Sequence, residues 1–148
     1  MYRAFIVIAD AARARLFTLE RSNDGEGTKE VLREHDSMID PERRQRPSKQ
    51  AADHRQSHNA ELDAEFARMI ARETSRRLRD DVVSRLVICA GPHMLGHLRH
   101  ALESLPASIH RDEIARNFIE LSPSELRLRL AEHDILPPPP SRQSTALQ

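Results

Sequence analysis

Three histidines spaced for one face of a helix are the first candidates for chemistry in this chain of 148 residues. His93, His97 and His100 recur at intervals of three or four positions, which places side chains on one side of a helix. Imidazole nitrogens are common ligands of zinc, so the spacing raises a metal site as one hypothesis. The apolar residues of the same segment occupy another arc, so a solvated polar helix face is the alternative interpretation.

Asp10 and Cys89 are two further reactive side chains, each at a predicted strand. Carboxylates at strand ends can hold metal ions in nucleases, but no second carboxylate stands at an equivalent strand end here. The pattern around Asp10 therefore favours a turn-forming role, in which the side chain accepts backbone N–H groups. Cys89 is the only cysteine and lies within an apolar run, so we expect a small buried hydrophobe rather than a nucleophile.

A polar segment at about residues 40–58 carries the one local basic cluster of the sequence. It contains two prolines and no aliphatic side chain larger than alanine. Loops of this length and composition are usually functional or disordered. Its cations are candidates for contacts with RNA phosphates, although no aromatic side chain is present to stack on a base. The candidates are Arg43, Arg44, Arg46, Lys49 and Arg55.

The overall composition limits the class of function. The chain has 23 basic and 23 acidic residues and a formal net charge of +0, so no global field favours nucleic acid or membranes. No apolar run approaches the ~20 residues of a membrane span, and the first apolar run is too short for a signal peptide. The cytoplasm is therefore the expected location. Neither phosphate-binding nor dinucleotide motifs fit around Gly91 and Gly96, so no cofactor is expected.

The first half of the sequence predicts an antiparallel meander followed by a helix. Apolar, β-branched runs at 3–9 and 13–20 are separated by a short connection, which predicts a hairpin. A weaker third strand is predicted at 28–36, with Val31 facing inward. Apolar residues then recur at helical spacing among charges, which predicts an amphipathic helix over 59–81.

The second half predicts a buried strand between helices. The continuous apolar run at 85–90 is typical of a strand covered on both faces, and hence of a central, parallel position. A helix is predicted over 92–105 with Pro92 at its first position, and an edge strand near Ile109 and Ile114. The final helix, over 123–133, begins with the capping-box pattern Ser-Pro-Ser-Glu.

These elements predict an α/β fold with one three-layer domain. A mixed sheet of about five strands, with the antiparallel meander first, would be flanked by about three helices. The domain is expected to cover residues 1–136 with the polar insert within it, and a mobile, proline-rich tail is expected over 137–148.

Two stretches of the chain, Ile6 to Phe17 and Leu86 to Arg99, match a known pair of sequence patterns. The first resembles the opening pattern VADxxRARxF, and the second the core pattern LVxxAPPxxLGxLR, of the bacterial host-attachment protein family. The similarity runs from about Tyr2 to His133. The chain departs from the core pattern by carrying Gly91 where proline is usual and His93 where arginine is common.

The resemblance implies a further relationship, to the middle domain of archaeal and eukaryotic peptide-chain release factors and of the rescue factor Pelota. In release factors a long loop carries Gly-Gly-Gln, which positions water for hydrolysis of peptidyl-tRNA. Here the corresponding insert contains Gln45, Gln50 and Gln56 but no glycine. Because the glycines let the backbone approach the ester closely, hydrolysis is not expected of this chain.

We therefore expect a non-catalytic, cytoplasmic binding or regulatory module of the host-attachment family, with an indirect role in attachment and an unknown protein partner. One alternative is a ribosome- or tRNA-associated factor that binds RNA through the basic insert, and a second is a small metal-dependent hydrolase built on the histidines. A homodimer through an exposed sheet edge is a further expectation. The predicted binding surface consists of Asp10, Arg13, Arg15, Gly91, Pro92, His93, Gly96 and Arg99.

Overall fold

The computed structural model describes residues 2–23, 25–41, 56–80, 82–138 and 140. These residues form one six-stranded sheet and three helices. The strands are β1 (Tyr2–Ala9), β2 (Arg13–Asn23), β3 (Thr28–Glu34), β4 (Met38–Ile39), β5 (Arg85–Ala90) and β6 (His110–Ile114). The helices are α1 (Gln56–Asp80), α2 (Pro92–Ala101) and α3 (Pro123–Glu132).

The predicted antiparallel meander is confirmed. β1 and β2 pair from Tyr2 opposite Arg21 to Ala9 opposite Ala14, which leaves a short turn between them. β3 continues the meander on the other side of β2, after a turn in which Gly25 and Gly27 take positive φ angles that favour glycine.

The prediction that Val31 faces inward is wrong. Its side chain is 49% exposed, while the neighbouring Leu32 pairs with Leu19 and packs against the core. Val and Leu are adjacent in sequence, and successive side chains of a strand point to opposite faces, so only one of the two can be buried. The register with β2 selects the leucine.

The short strand β4 adds a sixth strand to the five that the sequence predicts. Met38 and Ile39 pair with the start of β2, next to the part of β2 that pairs with β3. Two residues are too few to show the alternation by which strands are recognised in a sequence.

The predicted central, parallel position of β5 is confirmed. β5 pairs in parallel with β1 on one side and with β6 on the other, giving the order β3-β2-β1-β5-β6. Residues 4–9 of β1 and 86–90 of β5 are buried. The two central strands are thus covered on both faces, which accounts for their unbroken apolar runs.

Helices α1 and α2 cover one face of the sheet. Phe66 and Ile70 of α1 and Leu95 and Leu98 of α2 belong to one buried cluster with side chains from β1, β2 and β5. α1 leads into the beginning of β5 and α2 returns from its end, so the two helices run in the same direction across the sheet.

The opposite face is covered by α3 and the segments around it. Leu126 and Leu130 of α3 pack with Ile6, Ile8 and Val87. The predicted capping box is present, because Ser122 Oγ accepts the N–H of Glu125 and the Glu125 carboxylate accepts the N–H of Ser122. The helix is fixed at its start by its own sequence.

The helix predictions differ from the structure only at their ends: α1 begins three residues earlier than predicted, and α2 ends at Ala101 rather than at residue 105. Most of the polar insert and of the proline-rich tail lies outside the described residues. Among the helices that the structure describes, none has the length and apolarity needed to cross a membrane.

Candidate functional site

The parallel strands β1 and β5 end side by side, with Ala9 opposite Ala90. Asp10 and Gly91 are the next residues of each strand and therefore lie at the same edge of the sheet. In open α/β sheets this carboxyl edge is where ligands commonly bind. The structure thus brings together the parts of the predicted surface that follow the two strands: Asp10, Gly91, Pro92 and His93.

The Asp10 carboxylate forms the turn between β1 and β2. Its Oδ1 accepts the backbone N–H groups of Ala12 and Arg13, each at 2.8 Å. The Asp10 backbone N–H donates in turn to the carbonyl of Arg13 at 3.0 Å. This geometry supports the interpretation of Asp10 as a turn-forming residue.

The arginines of the predicted surface are joined to carboxylates of the same chain. Arg13 forms an ion pair with Glu120. Arg15 donates to both carboxylate oxygens of Glu34, at 2.8 and 3.1 Å. Arg99 of α2 likewise donates to both carboxylate oxygens of Glu113 of β6. These three arginines of the predicted binding surface therefore connect different segments of the fold through ion pairs.

Arg15 has the most complete set of internal partners. Besides Glu34, its guanidinium donates to the carbonyls of Ile119 and Leu121, at 2.9 and 2.6 Å. The hydrogen bonds to Arg15 lower the pKa of Glu34, against a smaller opposite effect of burial. Arg15 thus holds the segment before α3 against β2.

The start of α2 follows the carboxyl edge without a side-chain cap. Gly91 is the N-cap residue, with φ −59° and ψ 159°, and Pro92 occupies the first turn. Apart from the neighbouring residues and the backbone of the helix itself, a Cβ atom placed on Gly91 or on Gly96 would meet no atom within 4 Å. Gly96 therefore does not serve close packing within the described part of the chain.

The histidines of α2 separate into two environments. Rings of His93 and His97 lie 5.0 Å apart, edge to face. His93 Nε2 is 3.2 Å from Oδ2 of Asp63, which lies on α1. His100 instead pairs with Glu103 on its own segment, at 2.9 Å. The rise of a helix separates His93 from His100 by about 10 Å along the axis, too far for one shared ion.

A second arrangement that the sequence analysis missed is a row of arginines on α1. Arg68, Arg72, Arg76 and Arg79 are all exposed and lie on one side of an open cleft of about 550 Å³. Small side chains form the remaining walls of this arginine groove: Ala71 and Ser75 of α1, Ala101 at the end of α2, and Ser104 after it.

One of these arginines has carboxylate partners. Arg76 forms bonds to Glu73 at 2.6 and 3.1 Å and approaches Asp80 at 3.8 Å. Within the part of the chain that the structure describes, Arg68, Arg72 and Arg79 make no ion pair or side-chain hydrogen bond. Their charges contrast with those of Arg13, Arg15 and Arg99, which are paired.

Both missed features had a signal in the sequence. The four arginines stand at intervals of four, four and three residues, which places them on one helix face. Asp63 precedes Ala67 and Ile70 by four and seven residues and so falls on the apolar side of α1. A carboxylate at such a position is expected to be buried with a partner.

Cys89 adds no reactive group to the carboxyl edge. Cys89 is fully buried in β5, and burial raises the pKa of its thiol to about 12. A thiol in that state is not a nucleophile near neutral pH. The RNA-binding candidates Arg43, Arg44, Arg46, Lys49 and Arg55 lie outside the described residues.

Comparison with known proteins gives a family match over most of the chain. The family model described as "Protein required for attachment to host cells" matches residues 5–130. A search among curated proteins finds no match.

Solved structures with a similar arrangement include the type II variant of the Aquifex aeolicus Ppx/GppA phosphatase, with a TM-score of 0.44 and 13% sequence identity. The aligned region covers 77% of this chain but 36% of that one. A second structure of the Aquifex aeolicus family member aligns with the same TM-score and identity, over 76% and 35% of the two chains. The expected similarity to release factors is not confirmed by these matches.

Proposed function

Because this chain belongs to the family of proteins required for attachment to host cells, we propose that it is a non-catalytic cytoplasmic module that binds an anionic partner and acts on attachment indirectly. The observation that carries this proposal is the arginine groove between α1 and α2. It collects four exposed cations on one surface of a chain whose formal net charge is +0.

The shape of the groove favours an extended partner over a small anion. The row from Arg68 to Arg79 covers about 16 Å of helix. A single phosphate or carboxylate can contact only one or two of these side chains. Arginine presents several donors in a planar fork that matches carboxylate and phosphate oxygens, so a series of acidic groups fits the row.

We favour an acidic segment of a protein as the partner. The residues that line the groove include no aromatic side chain on which a nucleotide base could stack. Its small alanine and serine walls leave room for a chain to lie along the helix. The predicted surface at the carboxyl edge is less suited to this role, because Arg13, Arg15 and Arg99 are already paired.

A ribosome- or tRNA-associated function is the second candidate, and the same row of arginines supports it. Phosphate contacts supply most of the affinity of non-specific RNA binding and need no aromatic residue. The cations of the polar insert would add to such contacts.

Titration of the isotope-labelled protein, followed by NMR, separates the two candidates. The probes are an acidic peptide of glutamates and aspartates and a single-stranded RNA oligonucleotide of matched charge. We expect the peptide to shift the backbone resonances of residues 68–79 and the arginine Nε–H signals of the groove. Replacing Arg68 and Arg72 with glutamine should weaken this binding at least about tenfold, since hydrogen bonds to charged groups contribute about 1.5–3 kcal/mol each.

The matched control replaces Arg33 and Arg116 with glutamine. Both are exposed, and the change in net charge is the same. Equal loss of affinity in the two double variants would mean that only net charge matters, and would refute the groove as the site. Tighter binding of the RNA than of the peptide would favour the second candidate. In that case the slope of log K against log salt concentration should become shallower by about 0.7 for each arginine contact that is lost.

A further inference from the structure

Three side chains from two helices converge near the beginning of α2. Asp63 of α1 and His93 and His97 of α2 each offer a ligand atom, and these atoms all lie within 4.8 Å of one another. The arginine groove lies further along both helices than this cluster. The cluster therefore stands independently of the anionic partner proposed above.

The sequence of α2 presents the two imidazoles together. His93 and His97 are four residues apart, so their side chains lie on the same helix face, one turn apart. Met94, Leu95 and Leu98 turn toward the core and fix the rotation of the helix. In that rotation the histidine face borders α1 on one side and solvent on the other.

Asp63 supplies an anionic ligand from the neighbouring helix. The residue is 5% exposed, and a carboxylate buried to this extent generally has a partner. Leu62 and Phe66, which flank it on α1, are also buried, so its position is set by packing of the helix on the sheet. A buried carboxylate that meets an imidazole of a second helix is a rigid point of attachment for a cation.

The separations are close to those that a tetrahedral ion imposes. Zinc binds histidine nitrogen and carboxylate oxygen at about 2.0–2.2 Å, so two ligand atoms on one ion are about 3.3 Å apart. Asp63 Oδ2 and His93 Nε2 are already 3.2 Å apart. A ring nitrogen of His97 lies within 4.8 Å of the ligand atoms of both other residues.

We propose that Asp63, His93 and His97 form a binding site for a divalent transition-metal ion of the zinc type. Two imidazoles and one carboxylate are nitrogen and oxygen ligands of the kind that zinc accepts, whereas magnesium and calcium prefer oxygen alone. The side chain of His93 is 70% exposed, so the cluster opens to solvent. Three protein ligands leave a fourth position for water, as in zinc sites that are open.

The alternative to a metal site is an ordinary hydrogen bond between Asp63 and His93. The two differ in the role of His97, which the hydrogen bond does not require and the metal site does. The metal site and the hydrogen bond also predict different affinities for zinc. If only the hydrogen bond is present, zinc should bind this cluster no more tightly than it binds isolated histidines.

Calorimetric titration of the full chain tests the site. The protein carries no polyhistidine tag and is first dialysed against a chelator and then into a buffer that does not bind metal. We expect zinc to bind with one equivalent per chain in the tightest step. Replacing His97 with alanine should weaken that step at least about tenfold, the lower limit seen even for residues that only orient metal ligands.

His100 provides the matched control. It lies on the same helix face one turn beyond His97, carries the same side chain and pairs with Glu103 rather than with the cluster. The His100→Ala variant should therefore bind zinc with the affinity of the original chain. Asp63→Asn keeps the size of the buried side chain and removes its charge, so it should lose affinity as His97→Ala does.

Titration with Co²⁺ gives a second measurement, because its visible absorption depends on the number and geometry of its ligands. We expect an absorption band of a four-coordinate site in the original chain and in His100→Ala, and its loss in His97→Ala. Unchanged zinc affinity in both His97→Ala and Asp63→Asn, or equal weakening in His100→Ala, would overturn the proposal. Absence of a one-equivalent step in the original chain would overturn it as well.

Discussion

Arg127 of α3 and Glu30 of β3 form a bidentate ion pair that is nearly excluded from solvent. Nε of Arg127 lies 2.7 Å from Oε2 of Glu30, and Nη2 lies 2.8 Å from Oε1. The two side chains are 7% and 10% exposed. Arg21 adds a bond to the same carboxylate at 3.0 Å, so Glu30 joins two strands and a helix.

We expect Arg127→Met to reduce the free energy of unfolding by about 3 kcal/mol, because removal of one member of a buried pair leaves the other charge poorly compensated. Urea unfolding measures the change. Arg129→Met is the control, because Arg129 lies two residues further along α3, in an exposed pair with Glu132, and should change stability by less than about 0.5 kcal/mol. Equal effects of both substitutions would contradict a special role for the buried pair.

The same pair predicts how stability depends on pH. Burial alone would raise the pKa of Glu30, but hydrogen bonds and charges from Arg127 and Arg21 outweigh it and lower the pKa. A folded-state pKa below the unfolded value means that the stabilisation is complete above the unfolded pKa, about 4.3, and is lost as the pH falls through the folded pKa. The stability difference between the original chain and Glu30→Gln should therefore shrink from pH 6 toward pH 3. A constant difference over that range would refute the linkage.

Cys89 should be inert in the folded chain. Its thiol has a pKa of about 12, raised by burial, so roughly one molecule in ten thousand carries the thiolate at pH 8. Iodoacetamide at that pH should leave the native protein unmodified and should alkylate it fully in urea. Mass spectrometry detects the adduct. Rapid alkylation without denaturant would show that β5 opens locally.

Gly96→Ala should stabilise the protein by up to about 1 kcal/mol, because alanine is the better helix former and its methyl group meets open space. Thermal and urea unfolding measure the gain. Gly91→Ala adds the same methyl group at the N-cap of α2, where glycine is preferred to alanine, so no gain is expected there. A loss of stability in Gly96→Ala would mean that another group approaches this position closely.

The elements of the fold were largely predictable because their patterns are local. The apolar runs of β1 and β5 and the Ser122 to Glu125 capping box each carry their signal within a few residues. The orientation of Val31 was not predictable in the same way, since Val31 and Leu32 are both apolar and the register with β2 decides between them.

The candidate sites depend on how elements pack, and this limits prediction from the sequence. The spacing of His93 and His97 indicates a shared helix face, but that Asp63 meets them depends on where α1 lies beside α2. Likewise, the spacing of Arg68 and Arg72 indicates a row, whereas the groove exists only because α2 forms its other wall.

The central position of β1 has a consequence for synthesis of the chain. β1 leaves the ribosome before the other strands of the sheet and can pair at once with β2, but its parallel partner β5 follows about 80 residues later. Until then the apolar side chains on both faces of β1, and one of its edges, lack their final cover. Contacts between such distant segments form slowly, and exposed apolar strands aggregate. The hairpin of β1 and β2 is thus the part of the newly made chain that most needs protection from aggregation. Truncation before residue 90 should yield insoluble chains.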